Sequence, residues 1–408
     1  VTGDLVFCTD RTGWWNPWVI DAASVDQVVG EAGSAPEPFD GRSFAEPVLA
    51  GGGVDVEIGG PLWVGGLRWW ADAGDGRLVV SATRDGSDHL AVIGTDGTFA
   101  ELPTRFSEVV QVVPGPAADT VVIVGATPTT EAGPHLVALT PEVPGAGVAG
   151  SARVAPLRPS RDLGMGEEWF SVARHVSFPS GPGVGGDRVA HALFYAPNNP
   201  SASAPTGELP PLVVMIHGGP TSAARNRLDL AKQFWTSRGF AVVDVNYGGS
   251  TGYGRPYRNL LDGAWGVVDV EDAVAAARYL AAEGLVDGDR LAIRGGSAGG
   301  YTTLAALCFH EAFSAGASHY GVADLAALAA DTHKFESRYL DGLVGPWPDA
   351  RATYEERSPI HHTDGFDQPL IVLQGSEDVV VPPNQAEMIV AALAAKGVPH
   401  AYLLFEGE

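Results

Sequence analysis

The sequence predicts an α/β fold. A doubly wound, mostly parallel sheet is expected over residues 161–408, preceded by an all-β region over residues 1–160. Three observations carry this. Apolar runs alternate with helical stretches through the second half, the pattern of strand–helix–strand units and a parallel sheet. One such run, Arg290-Leu291-Ala292-Ile293-Arg294, leads through Gly295-Gly296-Ser297-Ala298-Gly299-Gly300 into a helical stretch that starts at Tyr301. The first half instead holds paired apolar runs that recur at a fixed spacing.

Residues 5–9 already read as a strand. Residues 78–83 lead through a turn to residues 89–93, and residues 121–126 lead through a turn to residues 135–139. The pair His135-Leu136 lies 46 residues after His89-Leu90, the scale of a four-stranded propeller blade. A similar half-unit runs from Leu5 to Ile20, with Asp10-Arg11-Thr12-Gly13 matching Thr83-Arg84-Asp85-Gly86 as the turn. Two blades and part of a third are expected. A propeller ordinarily has four to eight, and a small β-sandwich is the rival on strand pattern alone. Residues 141–161, rich in Pro, Gly, Ala and Ser, read as a linker.

In the second half, Leu212-Val213-Val214-Met215-Ile216 is a buried strand that ends in His217-Gly218-Gly219-Pro220. Residues 197–211 before it read as a surface loop, and residues 240–247 as the next strand. Val270, Val274, Ala277 and Leu280 recur at helical spacing. Residues 369–375 form a further strand, followed by Ser376-Glu377-Asp378. Strand, Gly-x-Ser-x-Gly, helix is the nucleophile elbow of an α/β-hydrolase. The turn lifts the Ser297 hydroxyl above the strand ends and sets it at a helix N-terminus, which favours developing negative charge. Asp378 then stands where the acid of a Ser-Asp-His triad is expected, with Asp324 as the fallback. Gly-rich backbone after the 212–216 strand is where this fold supplies an oxyanion N–H.

These residues resemble the prolyl oligopeptidase family of serine peptidases, and within it the acylaminoacyl-peptidase and dipeptidyl-aminopeptidase-like branch. The matching motifs are His217-Gly218-Gly219-Pro220, Asn246-Tyr247-Gly248-Gly249-Ser250-Thr251-Gly252-Tyr253-Gly254, Gly295 to Gly300, and Gly375-Ser376-Glu377-Asp378 with Val381-Pro382-Pro383-Asn384-Gln385-Ala386. The resemblance implies a hydrolase domain preceded by a β-propeller that restricts access, and cleavage of short peptides. It implies Ser297 as nucleophile and Asp378 as acid. Relatives that bind the oxyanion through a tyrosine hydroxyl carry that tyrosine where this chain has His217. The departure favours the backbone N–H groups of Gly218 and Ala298 as oxyanion donors. Tyr247 is expected to contact substrate.

The family's histidine follows its last strand in a Gly-His-Gly loop. Here the last strand, from His400 to Phe405, is followed by Glu406-Gly407-Glu408. The expectation is a fragment cut just before its catalytic histidine. His400 lies at the wrong end of that strand, roughly 16 Å away. His310, His319, His333, His361 and His362 read as ordinary surface or core histidines.

Composition limits the rest. The formal charge of −24 excludes the basic patches that nucleic acid demands; it serves solubility or attracts cationic peptides. No apolar run reaches the roughly 18 residues of a membrane span. Cys8 and Cys308 fall in different halves, so no disulfide framework exists, which favours the cytoplasm. No Cys/His cluster has metal-ligand spacing and no phosphate loop is present, so neither metal nor cofactor is expected. Glu167-Glu168 reads as a solvated turn; paired glutamates bind the substrate amine in dipeptidyl-peptidase relatives, but from within the propeller. The leading reading is a serine peptidase acting on small peptides. A carboxylesterase using the same Ser297 is the alternative, and a non-catalytic propeller binding protein the third. A homo-oligomer is compatible with the sequence.

Overall fold

The computed structural model describes residues 3–25, 45–61, 63–140, 151–182, 187–331 and 334–408. The chain separates into two compact units. One comprises Val1–Met165, Arg225–Leu228 and Gly252–Pro256; the other comprises Gly166–Ala224, Asp229–Thr251 and Tyr257–Glu408.

The first unit is all-β. A three-stranded antiparallel sheet holds β1 (Leu5–Thr9), β2 (Asn16–Ile20) and β3 (Glu46–Pro47). Two four-stranded antiparallel meanders follow. One is β4 (Trp70–Asp72), β5 (Leu78–Arg84), β6 (Ser87–Ile93) and β7 (Phe99–Glu101); the other is β8 (Glu108–Pro114), β9 (Thr120–Thr127), β10 (Thr130–Leu139) and β11 (Ala152–Pro156). The β5–β6 hairpin is buried on both faces, and the period-two rule of strands explains how. Val79, Leu90 and Val92 pack with Val112, Val121 and Ile123 of the next meander. Val80, Ala82, Ala91 and Ile93 face the other way, onto Leu49, Val56 and Ile58. A sheet covered by a neighbour on each face is how the blades of a propeller stack.

The expected linker needs correction. Residues 141–150 lie outside the described residues, but Ala152–Pro156 is a strand that pairs antiparallel with β10 from Leu139↔Ala152 to His135↔Pro156. Its side chains are mostly exposed, so it carries no apolar signal. Backbone pairing alone places it at the sheet edge, the position where Pro156 is tolerated.

The second unit is an eight-stranded sheet in the order β12-β13-β15-β14-β16-β17-β18-β19. Its strands are β12 (Arg174–Ser180), β13 (Arg188–Tyr195), β14 (Leu212–Ile216), β15 (Ala241–Asn246), β16 (Leu291–Gly296), β17 (Ala315–His319), β18 (Leu370–Gly375) and β19 (His400–Phe405). The first two strands are antiparallel; from β15 to β19 every pair is parallel. Buried parallel strands read as near-continuous apolar runs, as Leu212 to Ile216 and Ala241 to Val245 do. The principal helices are α1 (Val268–Ala282), α2 (Ala298–Phe309) and α3 (Pro383–Lys396). Val214, Val243, Ile293 and Val372 of the sheet share one core with Ala273, Ala277, Leu304 and Ile389 of these helices. Burying a side chain of this size contributes about 1.5–3 kcal/mol.

The topology selects a place for a ligand. The chain leaves β14 for β15 on one side, then crosses to β16 on the other. A crevice opens where strand order reverses, outside the carboxyl ends of the flanking strands. Those ends are Ile216 and Gly296.

Candidate active site

Ser297 follows β16 and caps the N-terminus of α2 with φ 55° and ψ −123°. A positive φ is rare for a residue with a side chain and costs free energy that the surroundings must offset. Close packing enforces it here. A methyl group on Gly299 would run into the Ile216 carbonyl oxygen and come within 2.8 Å of that of His217. One on Gly295 would strike the Gly299 carbonyl. Glycine on both sides lets α2 press against the end of β14. The Ser297 N–H donates to the His319 carbonyl at 3.0 Å, which ties the elbow to β17.

Gly218 stands beside the nucleophile. A Cβ on Gly218 would lie 3.5 Å from Ser297 Cβ and 3.1 Å from the Gly296 carbonyl oxygen. The loop is held from behind. Tyr247 is fully buried and stacks on His217, with ring centroids 4.4 Å apart, and its hydroxyl donates to the Pro220 carbonyl at 2.6 Å. His217 Nε2 lies 2.8 Å from Ser250 Oγ, and its Nδ1 lies 2.8 Å from the Gly218 carbonyl. The expectation that Tyr247 contacts substrate is therefore corrected. Its hydroxyl is engaged by Pro220 and its ring is covered, so it positions the glycine loop. Asp272, fully buried, accepts from the Gly248 N–H at 2.7 Å and from Arg188 at 2.8 Å, and so anchors the same loop cluster to α1. Ala298 is the first residue of α2, so no helical carbonyl precedes it to accept its N–H.

Asp378 lies three residues past β18. Its Oδ1 accepts from the N–H groups of Val380 at 2.9 Å and Val381 at 3.0 Å. Gly296 pairs with His319, and His319 with Leu373, so the ends of β16, β17 and β18 lie level across the sheet. Ser297 and Asp378 emerge at the same edge, two strand spacings apart, about 10 Å. Ser297, Val380 and Val381 line one narrow cavity of about 50 Å³, together with Pro220, Trp265 and Glu336. Asp324 instead caps a short helix by accepting from Ala326 and Ala327.

The histidines fall elsewhere. His400 pairs with Leu370 at the opposite edge of the sheet. His319 ends β17, but its Nε2 lies 3.1 Å from Arg294, and burial together with that guanidinium lowers its pKa. His310 follows the far end of α2; His361 and His362 sit in the turn before β18; His333 lies outside the described residues. Among the described residues no imidazole hydrogen-bonds the Ser297 hydroxyl, and no group of three or more His, Cys, Asp or Glu side chains is placed to hold a metal. Both cysteines are free thiols, and burial pushes Cys308 up to about 12.

Trp265, Glu336 and Tyr339 line the cavity and were not singled out in the sequence. Nothing in the stretch Lys334-Phe335-Glu336-Ser337 distinguishes it from a solvated loop.

Residues 226–408 match the family model described as prolyl oligopeptidase family. This segment belongs to the prolyl oligopeptidase family. The chain is similar to the solved structure of a Mycobacterium tuberculosis puromycin-hydrolyzing peptidase, with 41% identity and a TM-score of 0.84, covering 100% of this chain and 56% of that one. It is 33% identical to dipeptidyl aminopeptidase BIII of Pseudoxanthomonas mexicana over 52% of this chain and 31% of the relative. It is 31% identical to the acylamino-acid-releasing enzyme of Rattus norvegicus over 52% of this chain and 30% of that protein. The matches to these two curated relatives thus cover about a third of each relative's length. Among the described residues no helix is long and apolar enough to cross a membrane.

Proposed function

We propose that this chain carries the nucleophile, the acid and the oxyanion site of a serine peptidase that hydrolyses short peptides. The observation that carries the reading is Ser297, held at positive φ on a helix N-terminus against Gly218, at the sheet edge that also presents Asp378. The family of residues 226–408 supports it.

In this reading Ser297 Oγ attacks the scissile carbonyl carbon and gives its proton to a histidine. We place that histidine in the loop following β19, as the resemblance implies. The Glu408 carbonyl accepts from the Glu377 N–H at 2.7 Å, and the Ser376 N–H donates to Phe405 at 3.0 Å, so backbone at this point lies against the loop that presents Asp378. Two N–H groups hold Asp378 Oδ1; Oδ2 is the oxygen assigned to the imidazole N–H. The tetrahedral oxyanion takes the N–H groups of Gly218 and Ala298, donors that are fixed before charge develops. Its collapse expels the amine, which leaves with the proton from the imidazolium. Water then hydrolyses the acyl-serine by the same steps.

The test uses the full-length protein and a panel of acetyl-aminoacyl and dipeptidyl anilides and p-nitrophenyl esters. Ser297→Ala and Asp378→Asn are each expected to cost on the order of 10⁴-fold in kcat. A Ser297→Ala variant that keeps a tenth of the activity overturns the assignment. Turnover of esters without anilides replaces the peptidase by a carboxylesterase.

A further inference from the structure

Gln374 breaks the pattern of its own strand. Side chains of β18 alternate, so Leu370, Val372 and Gln374 share one face. Leu370 and Val372 belong to the core that also holds Val381, Ala386 and Ile389. Gln374 continues that face with an amide that is only 1% exposed. Burying an amide costs free energy unless hydrogen bonds offset the lost water, and an apolar side chain would suit the pattern better. What the amide holds is therefore the question.

Gln374 Nε2 donates to the Val381 carbonyl at 3.0 Å and to the Gly375 carbonyl at 3.3 Å. Its Oε1 is buried and accepts from no donor among the described residues, so only the NH₂ end of the amide is engaged. Val381 in turn donates its N–H to Asp378 Oδ1 at 3.0 Å. One buried residue is thus gripped on both sides: its N–H fixes the carboxylate, and its carbonyl is fixed by β18. Val381 also lines the cavity at Ser297.

The rest of the loop is held elsewhere. Its first residues, Ser376 and Glu377, donate their N–H groups to the carbonyls of Phe405 and Glu408. Val379 and Val380, just past Asp378, are exposed, so carbon packing does not secure the tip. Gln385, buried in the first turn of α3, accepts from the N–H groups of Ala323 and Asp324 at 2.8 Å each, which anchors the helix to the segment after β17.

We propose that Gln374 is a positioning residue for the acid: through Val381 it holds Asp378 so that Oδ2 meets the imidazole of the triad. The inference rests on Ser297 and Asp378 being nucleophile and acid, and extends that reading to the strand behind them. Gln374 touches neither substrate nor reacting atoms. Without its donor the Val381 carbonyl loses its tether, Asp378 gains freedom, and the imidazole is held less firmly. Loss of orientation lowers the rate even when every reacting group is intact.

The experiment follows p-nitrophenyl butyrate turnover by the full-length protein, as wild type, Gln374→Met, Gln374→Leu, Asp378→Asn and the Gln374→Met/Asp378→Asn double variant. Met and Leu keep an apolar volume at the site and remove the unmet Oε1, so the unfolding midpoint should stay near that of the wild type. Each is expected to lower kcat by about tenfold to hundredfold with KM within a factor of two. The acidic limb of the kcat/KM profile should move to lower pH, in the direction that Asp378→Asn moves it, because a carboxylate that no longer faces the imidazolium ceases to stabilise it. The position of that limb does not depend on how much of the enzyme is folded. In the Asp378→Asn background Gln374→Met should cost less than about twofold, since the group it positions is gone. Equal fold-losses in the two backgrounds overturn the inference, as does a fall in kcat with an unmoved limb. The two readings fail separately. If Asp378→Asn costs about 10⁴-fold and Gln374→Met almost nothing, the role of Gln374 alone is lost; if Asp378→Asn leaves turnover nearly intact, the acid assignment falls first.

Discussion

Tyr247 lies flat against His217, and its hydroxyl reaches past that ring to the carbonyl of Pro220. One buried side chain thereby sets both the plane of the histidine and the path of Gly218 and Gly219. Tyr247→Phe keeps the stacking and removes the hydrogen bond. A net hydrogen bond is worth about 1 kcal/mol, and a small displacement of an oxyanion donor acts on the transition state rather than on substrate binding. The expected result is a fall in kcat of about fivefold to tenfold with KM within a factor of two. Steady-state kinetics on a p-nitroanilide substrate checks this; a change in KM alone would place Tyr247 in substrate contact after all.

Gly299 is the closest contact between α2 and the end of β14. Gly299→Ala would drive a methyl group into the carbonyl oxygens of Ile216 and His217, both of which are backbone and cannot swing aside. Overpacking of this kind costs typically 1–3 kcal/mol, and the upper end is expected here. Urea unfolding should show a lower midpoint, with activity falling further than the folded fraction. An unchanged midpoint would mean that α2 can shift without cost.

Asp269 is fully buried in the first turn of α1, where it accepts from Thr302 Oγ1 at 2.5 Å and from the Gly266 N–H at 2.7 Å. Burial raises its pKa from 3.8 to about 6, against the pull of those two donors. The folded protein therefore holds this proton more tightly than the unfolded chain. Its contribution to stability is complete below about pH 4 and is lost as pH rises through about 6. The difference corresponds to on the order of 3 kcal/mol. Asp269→Asn should remove this component. The stability of the wild type relative to the variant should decline between pH 4 and 6 and stay level above. A difference that does not vary with pH rules out the titration.

The elements that position the site were legible because burial writes itself into the sequence. The strands β14, β16 and β18 each open on an apolar run of three to five residues, and each has glycine at its end or within two residues of it, where backbone must pass closely. The start of α2 was not legible: Gly299 and Gly300 argue against a helix by propensity, and only their contacts with neighbouring backbone explain why they are in one. Tyr247 was misread for a related reason. An aromatic residue at a strand end points to solvent or to core according to the neighbouring loop, and that loop lies about thirty residues upstream. Asp269 and Asp272 look like the polar face of an amphipathic helix. They are buried instead, because Thr302, Gly248, Ser180 and Arg188 supply partners from distant segments. Glu336 left no trace at all, since its place on the wall of the Ser297 cavity depends on what surrounds it in space.

The level ends of β16, β17 and β18 bear on how the protein acquires its site. Ser297 N–H donates to His319 and Tyr320 N–H to Leu373, so the separation of nucleophile and acid is set by parallel pairing of segments near residues 295, 318 and 373. Those pairings close long loops, and the entropy of closure is lost before any contact compensates it. Local helices such as α1 form early at little cost; the geometry between Ser297 and Asp378 exists only after the three strands have zipped together. Recovery of enzymatic turnover after dilution from denaturant is thus a clock for the slowest long-range step of folding, whereas the far-ultraviolet signal of the helices runs ahead of it.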